Sequence, residues 1–333
     1  DIKLFMKNIS VKAGFSDNLD VAQAAKDVLG KIWQKNIKLV LFFCSPKYDQ
    51  EKIHKLLKEA LKEIPFMGCT VPGESPDSPM AGGIIMDGVK NKGIAAMSIA
   101  SGADKIQVVT KLIQGVDRSS WIGAAGKALE EAVSTFRLDL KNIDPKKYCG
   151  LTLFDNSLAI GPGAVVGDVI EHYSVIAPDL LFTGIGAASG MHGAFPTPGT
   201  VHASDGFSKN AIAIALLKCE VPFVVEMAAN FEQTGKVLHI TKMGEGVIKE
   251  FDGRPAADVY AEALGVPVED LGTQSAPNSQ LLLLNPLGYM IKGRAFLRTG
   301  LWAEKGKGLA TLFPVEPARE LYLMKNVEIV EHT

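Results

Sequence analysis

The sequence predicts an α/β protein: internally duplicated α/β units, with helices packed on mixed sheets, followed by an α+β C-terminal part. Three observations carry this. Continuous apolar runs such as Ile37–Cys44 and Cys149–Asp155 have the composition of buried strands. Each is followed by a segment with apolar residues at helical spacing. The order of these segments then recurs along the chain at a nearly constant offset.

In the first copy (1–115), Ile2–Val11 alternates as an edge strand and Asn18–Trp33 has helical period. The buried strand Ile37–Cys44 precedes a helix over Gln50–Ile64, with Ile53, Leu56, Leu57, Leu61 and Ile64 on one face. Phe66–Thr70, Gly82–Met86, Gly93–Ala100 and Ile106–Ile113 follow as strands. In the second copy (116–229), Ser119–Phe136 is a helix with Ser119 or Ser120 at its N-cap. Then come the strand Cys149–Asp155, a helix Pro162–Ile176 and strands at Leu180–Gly184, Gly199–Ala203, Ala211–Leu217 and Phe223–Met227. Gly68 corresponds to Gly184, 116 positions on, and the stretch Gly88–Ala95 to Gly206–Ala213, 118 positions on. A two-residue insertion separates the copies. The third region (230–333) has a turn at Asp252-Gly253-Arg254 and a helix over Pro255–Leu264. Short strands follow at Leu281–Leu284, Tyr289–Ile291, Ala295–Thr299, Leu309–Phe313 and Leu321–Met324.

The composition narrows the function. With 35 basic and 37 acidic residues the formal charge is -2, and no polybasic stretch invites nucleic acid or an anionic membrane. No apolar run approaches the roughly 20 residues that cross a bilayer. The start, Asp1-Ile2-Lys3-Leu4-Phe5-Met6, lacks a secretory layout and an initiator Met, and reads as the inside of a longer chain. Cys44, Cys69, Cys149 and Cys219 are widely spaced, as reduced cytosolic thiols are, so the expected location is cytoplasmic.

Catalytic patterns are absent: there is no Gly-x-Ser-x-Gly elbow, Walker loop or His-Glu-x-x-His helix. Gly184-Ile185-Gly186 with Gly190 misses dinucleotide spacing by one residue. Of the six histidines none pairs at ligand spacing; His192 and His202 flank the Gly193–Thr200 loop, and His172 lies on a helix. No catalytic residue and no metal ligand is assigned. The expected ligand contacts lie at strand ends, where α/β folds place them. Cys69 ends a buried strand, as a packed thiol or as a nucleophile if the fold supplies His192 or His202. Thr70 and Glu74 beside it suit an amine-bearing ligand. Asp155 and Asn156, with Ser157, form either a turn cluster or a binding edge. Gly184 and Ser189 occupy the matching loop of the second copy. Arg298, four residues after Arg294, serves as a carboxylate clamp or a rim ion pair.

These residues also carry a family resemblance. Gly68-Cys69-Thr70-Val71-Pro72-Gly73-Glu74 resembles the Gly-Cys-Thr-x-x-Gly-Glu signature of the FIST N domain. Gly184–Gly190 is similar to that family's second glycine-rich turn, and Phe251–Tyr260 resembles the opening of the FIST C domain. The resemblance implies a sensory module of signal transduction that binds a small polar metabolite such as an amino acid. Its implied partner is a signalling protein such as a histidine kinase or another output domain. The FIST C family continues into a strand and helix with Phe-Ser-Cys and Arg, whereas this chain stops at Glu331-His332-Thr333, so that part reads as truncated. No cofactor is expected on this reading. The alternatives are a haem-dependent nitric-oxide sensor, which some members resemble, and a thiol-dependent enzyme using Cys69.

Overall fold

The computed structural model describes residues 9–71, 84–85, 89–90, 92–102, 105–115, 117–159, 165–192, 195–225, 231–244, 246–291, 294–312, 315 and 320–327. The fold is mixed α/β, and the chain divides into two compact units, Asp1–Val225 and Glu226–Thr333.

The first unit holds both copies. In the first copy, β1 (Ile9–Ser16), α1 (Val21–Ile32), β2 (Ile37–Cys44), α2 (Gln50–Leu61) and β3 (Phe66–Thr70) come in order. After them lie a short hairpin, β4 (Ile84–Ile85) and β5 (Val89–Lys90), and then β6 (Ile94–Ser101). The second copy runs β7 (Ile106–Ile113), α3 (Arg118–Thr135), β8 (Tyr148–Asp155), α4 (Val166–Ile176) and β9 (Phe182–His192). It continues through β10 (Phe195–Pro198), β11 (Val201–Ala203), β12 (Gly206–Ser208) and β13 (Ile212–Cys219). The sheets are ordered β1-β6-β2-β3-β11-β12 and β10-β9-β8-β13-β7.

Strand register makes the duplication explicit. β2 and β3 are parallel with α2 as their crossover, and β8 and β9 are parallel with α4 as theirs. Ile94 pairs with Cys44 and Ser16, and Ile212 pairs with Phe154 and Ile113. Phe42 pairs with Gly68, and Thr152 with Gly184. β7 therefore takes in the second sheet the edge place that β1 takes in the first. Sequence order had grouped it with the first copy, since order alone does not say which sheet a strand joins.

Alternation along each strand splits the side chains between two faces. Val40, Phe42, Phe66 and Ile94 meet Ala24, Val28 and Ile32 of α1 and Ile53, Leu57 and Leu61 of α2. Ile212, Ile214 and Leu216 meet Trp121 and Leu129 of α3 and Val166, Val169 and Tyr173 of α4. The opposite faces close on each other through Leu39, Met67, Cys69, Leu153 and the small residues Ala187, Ala203, Ala211, Ala213 and Ala215. The unit is thus layered helix, sheet, sheet, helix.

Several local expectations are corrected. The N-cap of α3 is Asp117, not Ser119 or Ser120: its carboxylate accepts from Ser120 N at 2.8 Å while Ser120 Oγ accepts from Asp117 N at 3.0 Å. α4 begins at Val166, and residues 160–164 lie outside the described ones. Residues 223–225 join no strand, and 226–227 lie outside the described residues.

The second unit is built on a sheet ordered β18-β17-β21-β14-β15-β20-β19, with β16 also on β15. Its strands are β14 (Phe231–Gly244), β15 (Val247–Phe251), β16 (Arg254–Pro255), β17 (Leu287–Ile291), β18 (Arg294–Arg298), β19 (Gly300–Glu304), β20 (Gly308–Thr311) and β21 (Glu320–Asn326). Asp252 (φ 50°) and Gly253 (φ 77°) make the two-residue turn between β15 and β16, both in the left-handed region such a turn demands. α5 (Ala256–Leu264) packs Tyr260 into the core and ends at left-handed Gly265. Leu281–Leu284 is not a strand but lies in α6 (Ser279–Leu284), which Asn278 caps by accepting from Leu281 N. Its run of leucines has no period, so the cap and not the composition decides it.

Candidate functional site

Two of the expected site residues meet, but on the protein itself. Thr70 ends β3 and Asp155 ends β8, and both hold the loop that leads into β11. Thr70 Oγ1 accepts from Thr200 N at 2.9 Å, and Thr70 N donates to Thr200 O at 2.9 Å. Asp155, fully buried, accepts from Gly199 N at 3.2 Å, Asn210 N at 2.9 Å, and Ser157 N and Oγ at 3.0 and 2.9 Å. Their polar groups are engaged in joining the two sheets. Asn156 sits in the 3-10 turn that follows, with Oδ1 against Gly186, where an added Cβ would lie 2.7 Å from it. Ser189 is half-buried in β9, at the register shift against β10. Glu74 lies outside the described residues. Arg298 belongs to the second unit, where its guanidinium lies 4.9 Å from the Tyr289 ring centre and donates to Leu297 O at 2.9 Å.

Cys69 is fully buried in the inter-sheet core, and burial alone pushes its thiol up to about 12. In β3 it is the neighbour of Gly68, which pairs with His202. Adjacent strand residues face opposite sides, so the His202 ring lies on the α2 side of the sheet and Cys69 on the other. The side chain of His192 lies outside the described ones. His202 belongs to a different cluster. Its Nε2 lies 3.2 Å from Gln50 Oε1, and its Nδ1 3.5 Å from Nδ1 of His54. The Gln50 amide donates to Ser45 O and Tyr48 O, which turns its oxygen toward His202. His202 therefore carries its proton on Nε2. Phe42, Phe66 and Phe207 complete the cluster, with ring centres 5.0–6.4 Å apart among these aromatic and His neighbours. Burial and the neighbouring His54 push the His202 imidazole down to about 3, so it is neutral. In short, the β11–β12 hairpin fills the groove between α2 and β3.

The corresponding place in the second copy is open. A cavity of about 360 Å³ lies between α4 and β9. Its helix wall is Val166, Val169, Ile170, Tyr173 and Ser174, its floor Thr152, Phe154 and Ile212, and its strand wall Leu181, Phe182, Thr183 and Gly184. Gly184 is the one expected site residue in it. A Cβ there would come 2.0 Å from Thr152 O, so only glycine lets β9 pass this close to β8. Ile170 and Leu181, both lining the groove, are half exposed, at 50% and 54%. An apolar patch of that kind marks a surface that meets something. Tyr173 donates to Ala125 O and Ser174 Oγ to Ile170 O, whereas the Thr152 and Thr183 hydroxyls have no described partner. The lining carries no charged group and no histidine. Among the described residues no group of three or more His, Cys, Asp or Glu gathers to hold a metal, and no helix is long and apolar enough to cross a membrane.

A duplicated α/β unit with a ligand-sized groove on one copy defines the class, and the comparisons define the family. The model of the FIST N domain matches residues 38–254, and the chain belongs to that family. FIST domains are sensory, small-ligand-binding domains of signalling. The match reaches into β16 of the second unit and stops before α5. No curated protein matches the chain significantly by sequence. Among solved structures, that of cyanuric acid hydrolase from A. caulinodans is similar over 64% of this chain and 70% of that chain, at 9% identity and a TM-score of 0.31, a likeness too slight to carry an argument.

Thr152, Ile170, Tyr173, Phe182 and Thr183 were not singled out from sequence. The signal was present in the repeat. Ile53, Leu57 and Leu61 of α2 align with Val169, Tyr173 and Ala177, all 116 positions on, which sets Ile170 against His54. An isoleucine on the solvent edge of that helix, where the other copy has a histidine under a hairpin, is an unfilled contact.

Proposed function

We propose that this chain is the ligand-binding part of a signalling sensor and that its ligand occupies the groove between α4 and β9. The open groove with its exposed apolar rim is the observation that carries the reading. Its size suits a small molecule, at the low end of the roughly 300–1,000 Å³ usual for such sites. A lining of aliphatic and aromatic groups with the free Thr152 hydroxyl on its floor favours an uncharged compound with few polar atoms. Thr70 and Asp155, two of the residues expected to hold an amino acid, are bonded to the protein itself, and the groove lining carries no charge, so the ligand class moves from zwitterion toward neutral molecule. The absence of histidine from the lining also disfavours haem at this place. The reading includes a cytoplasmic location and an output partner such as a histidine kinase, and treats Phe251–Tyr260 as the start of a FIST C-like part.

Thermal unfolding against a panel of amino acids, neutral metabolites and haem tests it. A ligand at about 100 times its dissociation constant adds near 2.7 kcal/mol. At roughly 2–4 °C per kcal/mol that raises the midpoint of a unit this size by about 5–10 °C. The shift should disappear in Thr152→Phe, which gives the groove floor the residue of the first copy. A shift unchanged in that variant moves the site elsewhere.

A further inference from the structure

We infer that the groove's ligand is a small, neutral, planar ring compound, which takes in the second copy the place that His202 and Phe207 take in the first. The inference rests on the groove being the ligand site and adds the ligand's class. Strand register and helix burial set Phe42 against Thr152, His54 against Ile170, and Phe66 against Phe182. In the first copy these positions enclose two flat rings, His202 and Phe207, stacked at 5.4 Å and 16°. Both arrive on the β11–β12 hairpin, which pairs with β3. Its sequence counterpart, β4–β5, forms a two-stranded sheet of its own, and among the described residues it adds no strand to β9.

The substitutions between copies reshape and neutralise the same space: Phe154 and Tyr173 add rings where the first copy has Cys44 and Leu57, while the floor and the helix edge open. Thr152 removes the ring that Phe42 places on the floor, and Ile170 replaces a hydrogen-bonding imidazole by an apolar wall. Phe182 keeps the aromatic wall of Phe66 and is itself backed by Tyr173, 5.0 Å away and 17° from parallel. A flat ring gains face-on contact with such walls that a bulky aliphatic of equal volume does not. The Thr152 hydroxyl, on the same face of the sheet as Phe182, is placed to meet one ring nitrogen or a substituent. A cavity of about 360 Å³ takes one ring or a fused pair.

Calorimetric titration of the full chain with indole and benzimidazole, beside cyclohexanol and leucinamide, tests the inference. The expected result is one-to-one binding of a ring probe, at least tenfold tighter than either aliphatic. Thr152→Phe should weaken it at least tenfold, and Ile170→Trp serves as a second way to fill the groove. Cyclohexanol binding as tightly as indole, and equally lost in Thr152→Phe, overturns the ring class while leaving the site. Absence of any probe or panel compound sensitive to Thr152→Phe overturns both. A further outcome also defeats the inference: an Ile170→Cys thiol shielded from alkylation without ligand and exposed by Ile85→Asp with Val89→Asp. That result would make the chain's own hairpin the occupant.

Discussion

Replacing Asp155 by alanine should cost the first unit about 4 kcal/mol, a large share of the roughly 5–15 kcal/mol that holds a domain together. The carboxylate is fully buried and accepts four hydrogen bonds. Two come from Ser157, which is half-buried and regains water when released. The other two come from Gly199 N and Asn210 N, which end up without an acceptor at about 1–3 kcal/mol each. Asp155→Asn keeps one acceptor oxygen and should lose about half as much. Scanning calorimetry reads the effect, because the two units need not melt together and a single midpoint would mix them. At roughly 2–4 °C per kcal/mol, the first unit's transition should fall by about 8–16 °C in Asp155→Ala. Amide exchange at Gly199 and Asn210 should quicken at the same time. Thr70→Val removes the acceptor for the next amide of the same loop, so the double variant should cost less than the two singles combined. A loss below about 1 kcal/mol in Asp155→Ala with unchanged exchange at Gly199 would mean that these two amides do not depend on the carboxylate, since orphaned buried donors cost more than that.

Further outcomes follow from the same geometry. Gly184→Ala and Gly68→Ala should each destabilise the first unit by about 2 kcal/mol or more. Their new Cβ atoms would meet Thr152 O at 2.0 Å and Phe42 O at 2.5 Å, whereas Gly123→Ala, in open space on α3, should stabilise it by about 0.5–1 kcal/mol. Because the folded His202 stays neutral down to about 3 against an ordinary 6.5, the unfolded chain binds the extra proton first. Stability is then fully present above pH 6.5 and falls as pH drops toward 3, by at most about 1.4 kcal/mol per unit from this group. His54, also lowered by burial with Lys58 near and Asp205 opposing, adds in the same direction, and urea titrations of His202→Phe across that range should show a shallower slope. Iodoacetamide at neutral pH should leave Cys69 unmodified in the native protein, and Cys69→Ala should bind ligand as the parent does. Rapid alkylation of Cys69 would revive the thiol-enzyme reading.

Much of the first unit was readable from sequence because its cues are local. Ile37–Cys44 is nearly all apolar since both faces of a central strand are covered, and the 116- and 118-residue offsets hold for β3 with β9 and β6 with β13, whereas Phe42 and Thr152 of β2 and β8 stand 110 apart. Membership of β7 in the second sheet was not readable, since an edge strand says little about its partner. The candidate site was half readable. Thr70 and Asp155 read as ligand contacts from their place at strand ends, but composition cannot tell a group that waits for a ligand from one that binds its own loop, as both do. The groove was missed for the opposite reason: Ile170, Phe182 and Thr152 look like ordinary core residues until the repeat shows that, among the described residues, the hairpin covering their counterparts has no equivalent on β9.

Methyl NMR of isoleucine-labelled protein, with the ligand that gives the largest thermal shift, locates the binding site directly. A ligand in the groove gives saturable shifts centred on Ile170 and Ile212, in the groove wall and floor, with Ile53 and Ile94 of the first copy unmoved. Shifts centred on the first copy, with Ile170 and Ile212 silent, would contradict that placement.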